Sequence, residues 1–113
     1  MYQDIVQDAL TRTMIAAHRG VAGGNIPGNT PDAFDAALAQ GADLVELDVA
    51  ASKDGGLFVF HPGMEYAYLD SKRLIRDMTK EEVAELRFVN GDRAFTTQKV
   101  CTLDEILEHL KGR

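Results

Sequence analysis

The sequence predicts an α/β fold centred on a βαβ unit with parallel strands. Two segments of strand-forming apolar residues, 13–17 and 42–49, flank a stretch that begins and ends like a helix. Thr30-Pro31 supplies a capping hydroxyl and a proline at the first helical position, and Gly41 supplies the stop. A strand, a helix and a second strand in this order form a βαβ unit, which implies parallel strands.

Length and charge restrict the class of protein. The chain has 113 residues, which is enough for one small domain, and a net charge of −6, which argues against a general binder of nucleic acid or membrane surfaces. The single cysteine, Cys101, excludes an internal disulfide and is expected to be a small buried apolar group. We find neither the apolar run of a signal peptide nor a membrane span, and therefore expect a cytoplasmic protein.

The N-terminal part contains a helix and then the first strand. Residues 3–11 are expected to form a short amphipathic helix that acts as a packing or lid element. Residues 13–17 are expected to form a buried strand that ends at His18-Arg19-Gly20. Histidine transfers protons near neutral pH, and arginine presents a fork of donors that fits phosphate or carboxylate. A solvated strand end with no chemical role is the alternative interpretation.

A glycine-rich loop, residues 21–29, follows that strand. Its three glycines and one proline would let backbone N–H groups approach an anion. The loop is neither a Walker A sequence nor G-x-G-x-x-G, so its glycines could equally serve only to shape the turn.

The second strand, residues 42–49, contains Glu46 and Asp48 in a segment that is otherwise apolar. Residues i and i+2 of a strand share a face, so both carboxylates are expected side by side. Like charges held close together repel each other, and a cation between them relieves the repulsion. Hard oxygen ligands suit Ca²⁺ or Mg²⁺. The alternative is a half-exposed strand whose polar residues face water.

A hairpin is expected after this strand, because Asp54-Gly55 is a strong turn signal and residues 57–60 are strand formers. If residues 52–55 form the turn, counting outward places His61 directly opposite Glu46. A second histidine would then stand at the carboxylate pair. The alternative is a strand-end histidine without a role.

The C-terminal half is expected to be mainly helix and loop. Residues 63–77 form a polar, irregular excursion that could cap the site, and its basic residues either attract an anion or form a solvated face. Thr79 to Glu82 is a capping box that opens a helix through about Arg87, and residues 89–100 form a loop. A second capping box at Thr102 opens a helix that ends at Gly112 and carries His109, which we do not expect to be catalytic.

The ordered motifs resemble the N-terminal part of the glycerophosphodiester phosphodiesterase family. They are His18-Arg19-Gly20, Asn29-Thr30, residues 41–49, Lys53-Asp54-Gly55 and His61, and the likeness extends from about residue 13 to the end of the chain. The resemblance implies a TIM barrel that uses a divalent cation to hydrolyse glycerophosphodiesters to glycerol 3-phosphate and an alcohol. It implies that Glu46 and Asp48 are metal ligands, that His18 and His61 form the acid–base pair, and that Arg19 holds the phosphate.

The chain departs from the family pattern at two positions and in length. Gly28 stands where the family often has glutamate, and Pro62 where it often has aspartate after the histidine. A TIM barrel needs roughly 250 residues. We therefore expect a truncated N-terminal portion, residues 1–113, with the first two βα units of a partial TIM (β/α)₈ barrel plus a hairpin and cap insertion. The resemblance places a third metal-binding glutamate beyond Arg113.

Three functional hypotheses follow from this. The first is a phosphodiesterase fragment that is impaired or inactive alone, with copies of the chain associating through the exposed barrel edge. The second is a related two-histidine phospholipase that forms a cyclic phosphate. The third is a self-associating module that retains the motif without turnover.

Overall fold

The computed structural model describes residues 2–112 as an α/β arrangement of short strands and helices. Three two-stranded sheets are present in this part of the chain: a parallel pair and two antiparallel hairpins. The helices are α1 (Tyr2–Thr11), α2 (Pro31–Ala39), α3 (Glu65–Leu69), α4 (Lys80–Ala84) and α5 (Leu103–Leu110), and a 3₁₀ turn spans Ile75–Asp77. The strands are β1 (Ala16–His18), β2 (Leu44–Glu46), β3 (Val49–Ala51), β4 (Leu57–Val59), β5 (Arg87–Val89) and β6 (Phe95–Lys99).

The predicted βαβ unit is confirmed. β1 pairs in parallel with β2, and helix α2 connects them. The Thr30 hydroxyl accepts a hydrogen bond from the Ala33 N–H, and Pro31 opens the helix. Gly41 follows the helix with φ +93°, a conformation that glycine adopts without strain. The last paired residues are His18 and Glu46, so both stand at the carboxyl ends of parallel neighbours.

Two expectations about the first strands are wrong. β1 begins only at Ala16, and it is largely exposed rather than buried, because β2 is its only sheet partner within residues 2–112. Residues 42–49 do not form one strand: β2 ends at Glu46, and Val49 opens β3 in a different sheet. The interruption has a local cause, since the Asp48 N–H bonds the side chain of Asn29 instead of a sheet neighbour.

The predicted hairpin is present, but its register differs by one residue. Ala51 pairs with Leu57 rather than with Gly56, because the connection spans Ser52 to Gly56. The Ser52 hydroxyl accepts from the Gly56 N–H and donates to Asp54, which closes the longer loop. His61 is therefore not opposite Glu46. The Phe60 N–H bonds the Asp48 carbonyl, and His61 follows immediately after this contact.

The excursion at residues 63–77 is ordered and packed, which corrects the expectation of an irregular polar segment. It contains α3 and the 3₁₀ turn, and it contributes Leu69 and Ile75 to the main core. The buried Glu65 carboxylate accepts hydrogen bonds from the Gly63 and Ile75 N–H groups, both at 2.8 Å. The cluster that these side chains join comprises Ala50, Phe58, Phe60, Leu69, Ile75, Met78, Val83, Phe88 and Val100.

Both predicted capping boxes are confirmed, at Thr79 and Thr102. Helix α4, however, ends at Ala84, and Arg87 already belongs to β5. Residues 89–100 are not a loop, because β5 and β6 form an antiparallel hairpin around the Asn90-Gly91 turn. Cys101 is buried with Phe34, Val59 and Ile106, and burial raises the pKa of its thiol, as expected for a small apolar group.

The predicted N-terminal helix is confirmed as α1. Its apolar residues Val6 and Leu10 are exposed, whereas Ile5 is partly buried. None of the helices in residues 2–112 is long and apolar enough to cross a membrane.

Truncating Ile75 tests whether the excursion is part of the folded core. Ile75→Ala removes a side chain that is completely buried, and we expect the free energy of unfolding to fall by about 2–4 kcal/mol. Ile15→Ala is the matched control, because Ile15 is 60% exposed and its truncation should cost less than about 0.5 kcal/mol. Chemical denaturation of both variants measures the difference. Equal stabilities would contradict the packed excursion.

Candidate active site

Arg19 occupies a tight turn directly after β1. Its φ is +61°, and its backbone N–H donates both to the Glu46 carbonyl, at 2.9 Å, and to Glu46 Oε2, at 3.1 Å. Gly20 continues the turn with φ +81° against the start of helix α2. A Cβ at Gly20 would lie 2.6 Å from the backbone of Ala33, so this position requires glycine. The turn thus fixes the Arg19 backbone beside Glu46.

The Arg19 side chain joins the second strand region to helix α3. Its Nε lies 3.2 Å from Asp48 Oδ2, and its Nη1 donates to the Tyr68 hydroxyl at 3.1 Å. The ion pair with Asp48 lacks the angle of a hydrogen bond, which leaves the buried Nε–H without an acceptor. The guanidinium is therefore held from two sides, by a carboxylate and by a phenol.

Asn29 connects Arg19 to Asp48 from the glycine-rich loop. Its side-chain amide donates to Asp48 Oδ2 at 3.0 Å and accepts from the Asp48 N–H at 3.2 Å. Its own backbone N–H donates to the Arg19 carbonyl at 2.9 Å. Asn29 is buried and has φ +64°, a conformation that asparagine tolerates better than most residues. This one residue therefore fixes both the loop and the orientation of Asp48.

Glu46 and Asp48 lie close enough for their carboxyl groups to interact. Burial raises the pKa of Asp48, but the hydrogen bond from Asn29, the charge of Arg19, the Glu46 carboxyl and the charge of His61 all lower it. The net pKa of Asp48 lies below its ordinary value. Asp48 thus stays ionised beside a second carboxyl group because Arg19 and Asn29 favour its charged form.

The two histidines stand at the rim of the same site. His18 Nε2 lies 3.7 Å from Glu46 Oε2, and the side chain is 73% exposed. His61 Nδ1 lies 2.9 Å from the Pro62 carbonyl oxygen. Both histidines and Arg19 line a cleft of about 480 Å³, and Tyr68 and Asn90 line the same cleft. The structure therefore brings together all five residues that the sequence analysis selected: His18, Arg19, Glu46, Asp48 and His61.

This arrangement agrees with comparisons to known proteins. The model of the glycerophosphoryl diester phosphodiesterase family matches residues 18–113. The chain belongs to this family. A glycerophosphodiester phosphodiesterase of Bacillus altitudinis is 42% identical over 105 residues, which are 89% of this chain and 41% of that protein.

Solved structures of the family have the same fold over the shared region. The crystal structure of a glycerophosphodiester phosphodiesterase from Agrobacterium tumefaciens matches with a TM-score of 0.77 and 39% identity, covering 89% of this chain and 44% of that one. A phosphodiesterase from Oleispira antarctica, solved with its product sn-glycerol-3-phosphate, matches with a TM-score of 0.73 and 29% identity, covering 86% of this chain and 39% of that one. The chain spans about two fifths of the length of several curated relatives that it matches.

The family is one of phosphoric diester hydrolases that use a divalent metal, and the carboxylates of this chain fit a hard cation. The Arg19 backbone N–H and His18 contact Oε2 of Glu46, whereas Asn29 and Arg19 Nε contact Oδ2 of Asp48. None of these contacts involves the second oxygen of either carboxylate. Two carboxylate oxygens, completed by water or phosphate, suit Mg²⁺ or Ca²⁺. Within residues 2–112 there is no cluster of three or more histidine, cysteine or acidic side chains that could hold a metal.

Sequence reasoning missed two residues of this candidate site. Asn29 belongs to the family motif, but its contacts are not predicted from the sequence. The signal that could have indicated its role is an asparagine between a glycine-rich loop and a helix cap. Tyr68 lay in the excursion, and no local pattern in the sequence connects it to Arg19, which is 49 positions away. Its role depends on how α3 packs, which only the structure reveals.

Replacing Asn29 tests whether it organises the site. Asn29→Ala removes both side-chain hydrogen bonds to Asp48 and places alanine at φ +64°, so we expect a loss of about 2–3 kcal/mol in the free energy of unfolding. Asn25→Ala is the control, because Asn25 is exposed and its side chain accepts a hydrogen bond from the Asn90 side-chain amide, not from a residue of the cluster around Asp48. That variant should stay within about 0.5 kcal/mol of the parent in chemical denaturation. If Asn29→Ala lowered the free energy of unfolding as little as Asn25→Ala does, the proposed role of Asn29 in organising the site would be contradicted.

Proposed function

We propose that this chain carries the phosphate-binding and acid–base part of a site that hydrolyses glycerophosphodiesters to glycerol 3-phosphate and an alcohol. The observation that supports this most is the cleft in which His18, Arg19 and His61 meet next to the Glu46–Asp48 pair. The product bound to the Oleispira antarctica relative is consistent with this substrate class. We propose that the substrate is a small molecule, since no basic surface for nucleic acid is expected at a net charge of −6.

In this proposal Arg19 binds the phosphate. A phosphodiester carries one negative charge, and more charge develops on its oxygens in the transition state. A guanidinium that is already oriented by its neighbours stabilises that charge without reorganising during the reaction. The overall negative charge of the protein makes such a local cation necessary for an anionic substrate.

The two histidines transfer the protons. One of His18 and His61 accepts the proton of the attacking hydroxyl, and the other donates a proton to the leaving alkoxide. With the glycerol 2-hydroxyl as the nucleophile, its oxygen bonds to phosphorus while the bond from phosphorus to the alcohol oxygen breaks. The product is a cyclic phosphate, which water then opens to glycerol 3-phosphate, with the two proton transfers running in the opposite sense.

Glu46 and Asp48 are proposed to hold Ca²⁺ or Mg²⁺. Bound there, the cation would supply electrostatic stabilisation of the phosphate oxygens. Asp48 is suited to this because it stays ionised, and Asn29 and Arg19 hold its Oδ2 in place. The parallel β1–β2 pair is proposed to represent the first strands of a partial TIM barrel, with the β3–β4 hairpin and the α3 excursion as additions.

We further propose that the chain alone is impaired or inactive and that copies associate through the exposed edge of the β1–β2 pair. Within residues 2–112 two carboxylates lie together, and β1 and β2 pair with no other strand. Two protein ligands bind a hard cation weakly, and an unpaired strand edge favours association.

A chimera tests the enzymatic proposal. We would join this chain to the remaining part of the Bacillus altitudinis relative and measure release of glycerol 3-phosphate from glycerophosphocholine. The chimera should be active, and His18→Ala, His61→Ala and Glu46→Gln should each lower kcat by at least about 100-fold. His109→Ala should leave kcat unchanged, because His109 bonds Asp35 away from the cleft.

The products separate the competing functions. A cyclic phosphate as the final product would support the phospholipase alternative. A folded chimera without turnover would support a non-catalytic module, and turnover by the 113-residue chain alone would contradict the proposed impairment.

Metal binding by the chain itself is a separate prediction. Titration with Mg²⁺ or Ca²⁺, followed through the backbone amide signals of Arg19 and Asn29, should give a roughly millimolar dissociation constant. Glu46→Gln and Asp48→Asn should each abolish the shifts, and addition of chelator should reverse them in the parent chain. Glu81→Gln, in the exposed first turn of α4, is the control and should change nothing. Shifts that persist in both carboxylate variants would contradict this site.

A further inference from the structure

We propose that Tyr68 is a positioning residue that aims the Arg19 guanidinium at the substrate phosphate. The inference rests on the proposed function, because it assumes that Arg19 is the phosphate ligand. Its basis is the hydrogen bond from Arg19 Nη1 to the Tyr68 hydroxyl at 3.1 Å, together with the position of both side chains on one cleft.

The hydrogen bonds of Arg19 leave one edge of the guanidinium available. Nε lies 3.2 Å from Asp48 Oδ2, and Nη1 donates one proton to the Tyr68 hydroxyl. No residue in the described part of the chain bonds Nη2, so Nη2 and the second Nη1 proton remain for a ligand. One N–H of Nη2 and the remaining N–H of Nη1 can form the fork that matches two oxygens of a phosphate.

Without Tyr68, Asp48 would compete for that fork. A carboxylate and a guanidinium prefer two parallel hydrogen bonds, and Asp48 makes none of good angle with Nε in this structure. Rotation of the guanidinium about its long side chain would let two nitrogens reach Asp48. The fork would then point at the carboxylate instead of the cleft. The Tyr68 hydroxyl opposes this rotation by holding Nη1 from the other side.

Tyr68 can do this because its own position is fixed. Its ring packs edge-on against the buried Phe60, with the ring centres 6.2 Å apart and the planes at 78°. Helix α3 is anchored at its start by the buried Glu65. At its end, Arg93 donates to the carbonyl groups of Tyr66 and Ala67 and pairs with Asp70. The hydroxyl is thus placed by the folded excursion and the β5–β6 turn.

The test measures binding of inorganic phosphate to the 113-residue chain and observes the side-chain Nε–H signal of Arg19 by NMR. Tyr68→Phe removes only the hydroxyl, so the ring keeps its contact with Phe60. We expect phosphate binding to weaken by roughly three- to tenfold and the Arg19 Nε–H signal to shift as the guanidinium turns towards Asp48. Tyr66→Phe is the matched control, since its hydroxyl is exposed on the same helix, and it should change neither readout.

A double-mutant cycle separates positioning from a general effect on folding. In an Arg19→Ala background, Tyr68→Phe should have no further effect on phosphate binding, because its influence passes through Arg19. If Arg19→Ala weakens binding while Tyr68→Phe alone leaves both readouts unchanged, the inference is wrong. A full additional loss in the Arg19→Ala background would also overturn it, since Tyr68 would then act independently.

The outcome is distinguishable from failure of the proposed function. Phosphate binding that depends on Arg19 and Tyr68, in a chain whose chimera is inactive, would retain the positioning role and reject the hydrolysis. Phosphate binding unaffected by Arg19→Ala would reject the phosphate-binding role of Arg19 and, with it, the inference about Tyr68.

Discussion

The site depends on how the chain compensates the charge of two neighbouring carboxyl groups. Glu46 and Asp48 interact, and Asp48 keeps a low pKa because Arg19 and Asn29 stabilise its ionised form. The same contacts shape the backbone: the Arg19 turn is bonded to Glu46, and Asn29 is bonded to Arg19. The contacts that compensate the carboxylate charge therefore also fix the geometry of the loop. The resulting cluster lies at the carboxyl ends of β1 and β2, where ligands of parallel sheets commonly bind.

That constraint also explains why the second strand is broken. A continuous strand over residues 42–49 would have engaged the Asp48 N–H in a sheet. The protein instead bonds this group to the Asn29 side chain, and the chain changes partner from β1 to β4 at this point. The local preference for an extended strand is thus overridden where the candidate site forms. Such disagreements between local pattern and fold are expected at functional positions.

Sequence reasoning succeeded where the structure is set by near neighbours in the chain. The caps at Thr30, Thr79 and Thr102 follow from contacts within a single helical turn. The hairpin register does not follow from such local contacts. The Ser52 side chain bonds Asp54 and Gly56 and closes a longer loop, which no turn rule specifies. The β5–β6 hairpin was missed since the Thr-Thr-Gln stretch of β6 lacks an apolar alternation. The candidate site residues were selected by the ordered motif, whereas the contact of Tyr68 with Arg19 depends on the packing of α3.

The two departures from the family pattern adjoin Arg19 and His61, two residues of the candidate site. A Cβ at Gly28 would lie 3.1 Å from the Cβ of Arg19, so the glutamate common in the family would require one of them to shift by a few tenths of an ångström. Pro62 follows His61 and presents its carbonyl oxygen to the ring Nδ1. Glycine thus allows the loop to approach Arg19 closely, and the ring of His61 is held by the backbone carbonyl of residue 62, a contact that does not depend on the side chain there. Both departures therefore lie next to groups that we propose to bind the phosphate and to transfer protons, and both of those groups are present in this chain.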